Sequence, residues 1–321
     1  MTASPYDVLD PEIAIFVRRM IADASAHPPR EQLTPPEARR VAEIVRQPWT
    51  EGGPVMASRE DHMIPTRHGP VRIRFHRPEG LAAPAPALIY IHGGGFVLFS
   101  LDTHDRLMRE YAARARMVVI GIDYSLAPEA RFPQAPQEVV DVVRAIHARA
   151  AEFGLDPDRI ALGGDSAGGN LTVSACLTFR DAGEAPIAAM VLNYGGFSMD
   201  LVSPSVLRWG GGNYLLTTHM MLWFLMNYVA DPEQRFDPRL RVLDADLTGL
   251  PPAWMVITEC DPLYDENLEM RDRLAAAGVP VEAKVYPGTV HSFLEAVSVA
   301  TVAGEALDDT ALWLKHTLGL N

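Results

Sequence analysis

Arg159-Ile160-Ala161-Leu162-Gly163-Gly164-Asp165-Ser166-Ala167-Gly168-Gly169-Asn170-Leu171 is the stretch on which the fold turns. The apolar run Arg159–Gly163 reads as a buried strand. From Ala167 the spacing of Leu171, Val173 and Leu177 reads as a helix reaching Asp181. Between them Gly164-Asp165-Ser166-Ala167-Gly168 has the form G-x-S-x-G, whose small residues permit a sharp turn that lifts a serine oxygen above a sheet. The five letters alone are a weak signal; the strand-turn-helix setting gives them meaning. The competing reading is a glycine-rich turn whose serine merely caps the helix.

Outward from this turn the same rhythm continues. Ala87–Ile91, Val118–Asp123, Ala188–Asn193, Ala253–Thr258 and Glu282–Tyr286 are short apolar strands, and Thr103–Arg116, Ala135–Phe153, Leu263–Ala277 and Glu295–Leu318 read as helices between or after them. Continuous apolar strands alternating with amphipathic helices predict a mostly parallel sheet covered on both faces, an α/β fold. Ahead of it, Glu60–Ile64 and Val71–His76 alternate around Gly69-Pro70 and predict an antiparallel hairpin. Two short helices are expected between Asp10 and Gln47, separated by the proline-rich stretch His27 to Pro36. The interval Gly195–Leu250 is too long for a βα connection and is read as an insertion. Its segment Met220–Tyr228 is too rich in large apolar side chains to face solvent alone. The expected organisation is N-terminal cap helices over 1–55, a first core segment over 56–194, a cap insertion over 195–250 and a second core segment over 251–321.

Composition narrows the function classes. The chain has 321 residues, 48% hydrophobic and 21% charged, with a net charge of −13. That charge argues against an electrostatic grip on nucleic acid or an anionic membrane. Cys176 and Cys260 lie far apart with no CxxC spacing, so neither a disulfide framework nor a thiolate metal site is indicated, and a reducing compartment fits. Charged residues interrupt the N-terminal twenty positions, so no signal peptide is read there, and Met220–Ala230 is too short to span a bilayer. A cytoplasmic location is the expectation. No cofactor or metal is implied; the absence of H-E-x-x-H and of clustered ligands disfavours a metallohydrolase.

His92-Gly93-Gly94-Gly95-Phe96 closes the strand Ala87–Ile91 and places a backbone free of side chains beside the serine turn. Acyl transfer builds negative charge on a carbonyl oxygen, which unobstructed amide N–H groups stabilise well. A phosphate loop would need Gly-Lys-Ser/Thr, and no lysine lies nearby. A serine hydroxyl needs a base. On a serine-elbow sheet the order is Ser, acid, His, with the last two on loops after late strands. His291 lies after the final strand in such a loop, whereas His316 falls in the terminal helix. For the acid, Glu259, Asp261 and Asp265 all qualify. Asp261 is preferred, because Glu259 belongs to the strand end and Asp265 to the first helical turn, where the helix dipole explains a carboxylate.

Taken together, His92–Phe96, Asp123-Tyr124-Ser125-Leu126-Ala127-Pro128-Glu129, Gly164–Asn170, Asp261-Pro262-Leu263 and His291-Ser292-Phe293 resemble the hormone-sensitive-lipase branch of α/β-hydrolases, the bacterial family of carboxylesterases and acetyl-hydrolases. The resemblance spans nearly the whole chain. It implies an α/β-hydrolase fold with a helical cap, a catalytic triad of Ser166, Asp261 and His291, and an oxyanion hole from the N–H groups of Gly94, Gly95 and Ala167. It also implies a small-molecule ester as substrate and a homodimer through the last strand. Two departures stand out: Ser125 replaces an arginine, which puts a structural contact in question, and Asn193-Tyr194-Gly195-Gly196 replaces Tyr-Pro, which leaves the nearby pocket wall open. Receptors on the same fold that have lost the histidine are a rival class, but His291 is present. Amide, lactone or carbamate carbonyls would use the same machinery. Phe96, Tyr194, Trp209, Met221 and Phe224 are the expected pocket residues, with Trp223 and Tyr228 also available. The alternative for the aromatics is a small core belonging to the cap itself. Short to medium acyl chains, acetate to hexanoate, are expected.

Overall fold

The computed structural model describes residues 4–320. Eight strands form one sheet in the order β1-β2-β4-β3-β5-β6-β7-β8: β1 Ser58–Thr66, β2 Gly69–Arg77, β3 Ala85–Ile91, β4 Val118–Asp123, β5 Leu155–Asp165, β6 Ala189–Asn193, β7 Ala253–Cys260 and β8 Val281–Val290. The hairpin β1–β2 joins β4 antiparallel, and from β4 to β8 every pairing is parallel. β3 is buried at every position, as a central parallel strand must be when helices cover both faces.

The helices are α1 Pro11–Ser25, α2 Pro35–Thr50, α3 Asp105–Ala115, α4 Gln134–Ala148, α5 Ala167–Asp181, α6 Pro204–Trp209, α7 Thr218–Tyr228, α8 Tyr264–Ala276 and α9 Thr301–Thr317. Two apolar clusters flank the sheet, one built on Ile89, Leu162 and Val173, the other on Tyr90, Val191 and Leu314. Compared with the sequence reading, β5 begins four residues earlier, at Leu155, because the Leu155 side chain is buried and Ala85 N–H donates to the Gly154 carbonyl at 2.9 Å. The last helix is also shorter than predicted. Phe293–Ser298 forms a separate 3-10 turn whose Ala296 carbonyl accepts from Val299 and Ala300 N–H, and α9 starts afresh at Thr301, where Glu12 accepts from the Thr301 N–H at 2.6 Å and the Ala300 carbonyl accepts from Ala303 and Gly304.

Both anomalies of the sequence lie over the carboxyl ends of the parallel strands. α1 and α2 come from the N-terminus, and α6 and α7 fall between β6 and β7. Asp10 caps α1 by accepting from the N–H groups of Glu12 and Ile13, and a capping box of Thr34 and Glu37 starts α2. The Asp10 N–H donates to the Gly288 carbonyl at 3.0 Å, which ties α1 to the loop that carries His291. Among the described residues no helix is long and apolar enough to cross a membrane.

Candidate active site

Ser166 stands at the junction of β5 and α5 with φ 55° and ψ −118°, a conformation that a residue with a side chain holds only under constraint. The constraint is visible. Ser166 N–H donates to the Asn193 carbonyl at 2.9 Å, and its own carbonyl accepts from Gly169 at 3.0 Å and Gly196 at 3.2 Å. A Cβ added at Gly168 would overlap the Ile91 carbonyl oxygen, so the helix can approach β3 only with glycine there. This accounts for the small residues of the motif.

The three residues singled out from the sequence come together. Asp261 is fully buried and accepts from Thr258 Oγ1–H at 2.5 Å and from Leu263 N–H at 2.9 Å. His291 Nδ1 lies 2.7 Å from Asp261 Oδ2, and Nε2 lies 2.9 Å from Ser166 Oγ. A carboxylate that accepts throughout leaves Nδ1 as the donor, so the free Nε2 lone pair faces the serine hydroxyl. The two rival acids are occupied elsewhere. Glu259 accepts from Gly288 N–H at 2.8 Å, and Asp265, in the first turn of α8, accepts from Ser205 N–H at 2.7 Å. His316 lies in α9.

Gly94, Gly95 and Ala167 border the same space as Ser166. Gly95 has φ 59°, and a Cβ there would overlap the Phe224 ring of α7, so the loop and the cap helix meet only because the residue is glycine. The loop is anchored from beneath by Asp165, which accepts from Tyr90 Oη–H at 2.9 Å and Gly93 N–H at 3.1 Å, with His104 Nε2 3.4 Å away. Burial alone would raise this carboxyl; the His104 imidazole and the Tyr90 hydroxyl outweigh it and hold it at about 2. Asp165 sits inside the motif string, yet nothing in the sequence assigned it this bracing position.

Two cavities meet at Ser166. One, of about 240 Å³, opens towards α1 and α2 and includes His291, Met20, Arg30 and Arg46. The other, of about 70 Å³, runs under α7 and includes Ala167, Met199, Leu201, Leu225, Leu263 and Glu266. Phe96, Met221 and Phe224 line these spaces, and Phe96 stacks on Tyr228 with ring centroids 3.9 Å apart. Two expectations are corrected. Tyr194 is fully buried below the site, its ring 5.2 Å from that of His291 and 6.0 Å from Phe293, because φ 38° turns the chain downwards directly after β6. Trp209 packs edge-on against Tyr214 at 4.9 Å, and both rings are buried in the apolar cluster on Tyr90, Val191 and Leu314 that flanks the sheet. Trp223 likewise lines neither cavity and packs against Phe224.

Of the two departures from the family pattern, Ser125 keeps a structural contact: its N–H and hydroxyl donate to Glu138 at 2.7 and 2.8 Å. Asn193 donates to Tyr111 Oη at 2.9 Å beneath the elbow. The sequence reading missed Glu266, which accepts from Phe197 N–H, Ser198 N–H and the Ser198 hydroxyl at the wall of the smaller cavity. Burial pushes its carboxyl up to about 7, against the hydrogen bonds that lower it. Arg30 and Arg46 were missed as well, since they precede every motif.

The pattern of a family described as alpha/beta hydrolase fold matches residues 88–295. Among solved structures, the chain is similar to an esterase of Pyrobaculum calidifontis, 32% identical with TM-score 0.90, covering 96% of this chain and 98% of that one. It is also similar to an ester hydrolase from the metagenome of Lake Arreo, complexed with a bipyridine phosphonate derivative, at 35% identity and TM-score 0.92 over 97% and 99%. A thermostable carboxylesterase cloned from a metagenomic library matches at 36% identity and TM-score 0.86 over 89% and 98%. The motifs, the sheet order and these likenesses agree, and the chain belongs to the α/β-hydrolase fold family, in its hormone-sensitive-lipase-like branch of carboxylesterases.

Proposed function

We propose that this chain is a serine carboxylesterase with Ser166 as nucleophile, His291 as general base and Asp261 orienting the imidazole, and that it takes short acyl groups. The observation that carries the reading is the continuous relay from Asp261 through His291 to a strained, half-exposed Ser166, with two unequal cavities meeting at that oxygen. In the first half-reaction Ser166 Oγ attacks the ester carbonyl while its proton passes to His291 Nε2. The N–H groups of Gly94, Gly95 and Ala167 stabilise the developing oxyanion. The protonated imidazole then gives its proton to the departing alkoxide, and water repeats the sequence to release the acid.

That proton delivery orients the substrate. The leaving oxygen must lie beside His291, which borders only the larger cavity, so the alcohol belongs there and the acyl chain under α7. An apolar cavity of about 150 Å³ accepts benzene. The acyl-side space, of about 70 Å³, is half that, and favours the short end of the range from acetate to hexanoate. Residues 1–55 and 195–250 form the cap, and 56–194 with 251–321 the catalytic body. β8 pairs on one side only, and supports a homodimer through that edge. Two free buried cysteines fit a cytoplasmic setting.

The test is a panel of p-nitrophenyl esters from acetate to hexadecanoate, run beside amides and lactones, with mass spectrometry after a phosphonate or sulfonyl fluoride. We expect the reagent on Ser166 and the highest kcat/KM at short esters. Turnover retained by Ser166→Ala, or an optimum at dodecanoate or beyond, overturns the reading.

A further inference from the structure

The larger cavity carries charge that ester hydrolysis alone does not need. Two guanidinium groups, of Arg30 and Arg46, line it together with Ser166 and His291. Arg46 is 5% exposed; it lies over the Phe99 ring at 4.4 Å, donates to Ser292 Oγ at 3.3 Å, and is ion-paired with buried Glu295. Its Nε finds no acceptor among the described residues. Arg30 sits in the 3-10 turn Arg30–Gln32 between α1 and α2, partly buried, and makes no ion pair with a described carboxylate. Burial lowers the pKa of both groups, Arg46 to about 9, and the charge of Arg30 is the second cause of that fall.

Two desolvated like charges, of which only Arg46 has an ion-paired carboxylate, favour an anion that enters from outside. The other acids on this wall do not supply it. Asp165 is committed to Tyr90, Gly93 and His104, and Glu31 acts on Arg30 only through space.

We propose that this cavity binds a carboxylate carried by the alcohol half of the ester, with Arg30 as its principal partner and Arg46 beside it, so that the substrates are O-acyl hydroxy acids. The inference rests on the esterase reading and on the alcohol lying beside His291. A guanidinium offers paired donors that match a carboxylate, which a lone ammonium does not. The net charge of −13 repels anions at long range, so their capture requires local cations. The chemistry balances as a hydrolysis. The acyl carbon–oxygen bond breaks, the alkoxide of the hydroxy acid takes the proton held on His291 Nε2, and water supplies the oxygen and proton that complete the released acyl acid. The distal carboxylate is untouched.

The experiment compares kcat/KM for the acetyl esters of 2-, 3- and 4-hydroxybutyrate with those of the matching carboxamides, at low ionic strength. For at least one member the carboxylate should exceed the amide by about tenfold, the scale of one hydrogen bond to a charged group. In Arg30→Met that ratio should fall towards one, and Arg30→Lys should retain part of it. Each ratio is taken on a single preparation, so a change in folded fraction cancels. A wild-type ratio at or below one across the series, or a ratio unchanged in Arg30→Met, overturns the inference while the cleaved amides leave the esterase reading standing. Failure to cleave any ester, p-nitrophenyl acetate included, removes both.

Discussion

The serine elbow and the cap helix above it are held in opposite ways. Around Ser166, Gly164, Asp165, Gly168 and Asn193 are buried, and backbone carbonyls or buried side chains fill the space a larger residue would need. Along α7, only Tyr228 is buried, and Leu222 and Met226 are 40% and 66% exposed. Positions fixed by backbone contact on several sides have no way to relax, so the geometry at Ser166 is over-determined. A helix resting on a cavity by one face can repack with little cost to the rest of the fold. On the proposed reading, chemistry is therefore the rigid property of this molecule, and acyl selection the adjustable one.

The largest effect expected on the rigid side is from Asp261→Asn, which should lower kcat by ~10⁴ by presenting the wrong imidazole tautomer, with little loss of folding. Asp265→Asn, which only loosens the tie between α6 and α8, should cost far less. Steady-state kinetics paired with thermal melts decides between them; a larger loss in Asp265→Asn at unchanged Tm would reverse the assignment of the acid.

Glu266 lies where the two regions touch, and its burial makes stability depend on pH. A carboxyl held near 7 in the folded protein, against 4.5 as the ordinary value, binds its proton more tightly when folded. Its contribution is thus complete below about pH 4.5 and is lost as pH rises through about 7, by an amount on the order of 3 kcal/mol. Urea melts at pH 5 and pH 8 should show Glu266→Gln losing this fall. A wild-type and variant difference that stays constant over that range would show that Glu266 does not titrate between those limits.

The smallest effect should come from the adjustable side. Leu225→Ala enlarges the cavity under α7, and should raise the kcat/KM ratio of hexanoate to acetate by about tenfold, a few methylenes' worth of fit, at nearly constant Tm. A Tm drop of the size seen for a buried leucine, about 2–5 kcal/mol in stability, would break the contrast between elbow and cap.

The local chemistry was legible in advance because it is written in contiguous residues. The turn Gly164–Gly168, the loop His92–Phe96 and the order Ser166, Asp261, His291 each follow a strand, and a parallel sheet brings strand ends to one edge whatever covers them. Even the choice of Asp261 over Glu259 and Asp265 followed from position relative to β7 and α8. The cap was legible only as an anomaly of length and composition. Tyr194 and Trp209 illustrate why: an aromatic ring satisfies its burial equally well in a cavity wall, against the His291 imidazole, or against another ring of the same segment. Sequence by itself determined the α/β architecture and the three residues Ser166, His291 and Asp261 that come together in a line. Only the tertiary structure decided the two cavities, the bracing by Asp165 and the presence of Arg30 and Arg46, because those surfaces are assembled from segments far apart in the chain, and no local spacing encodes how they come to face one another.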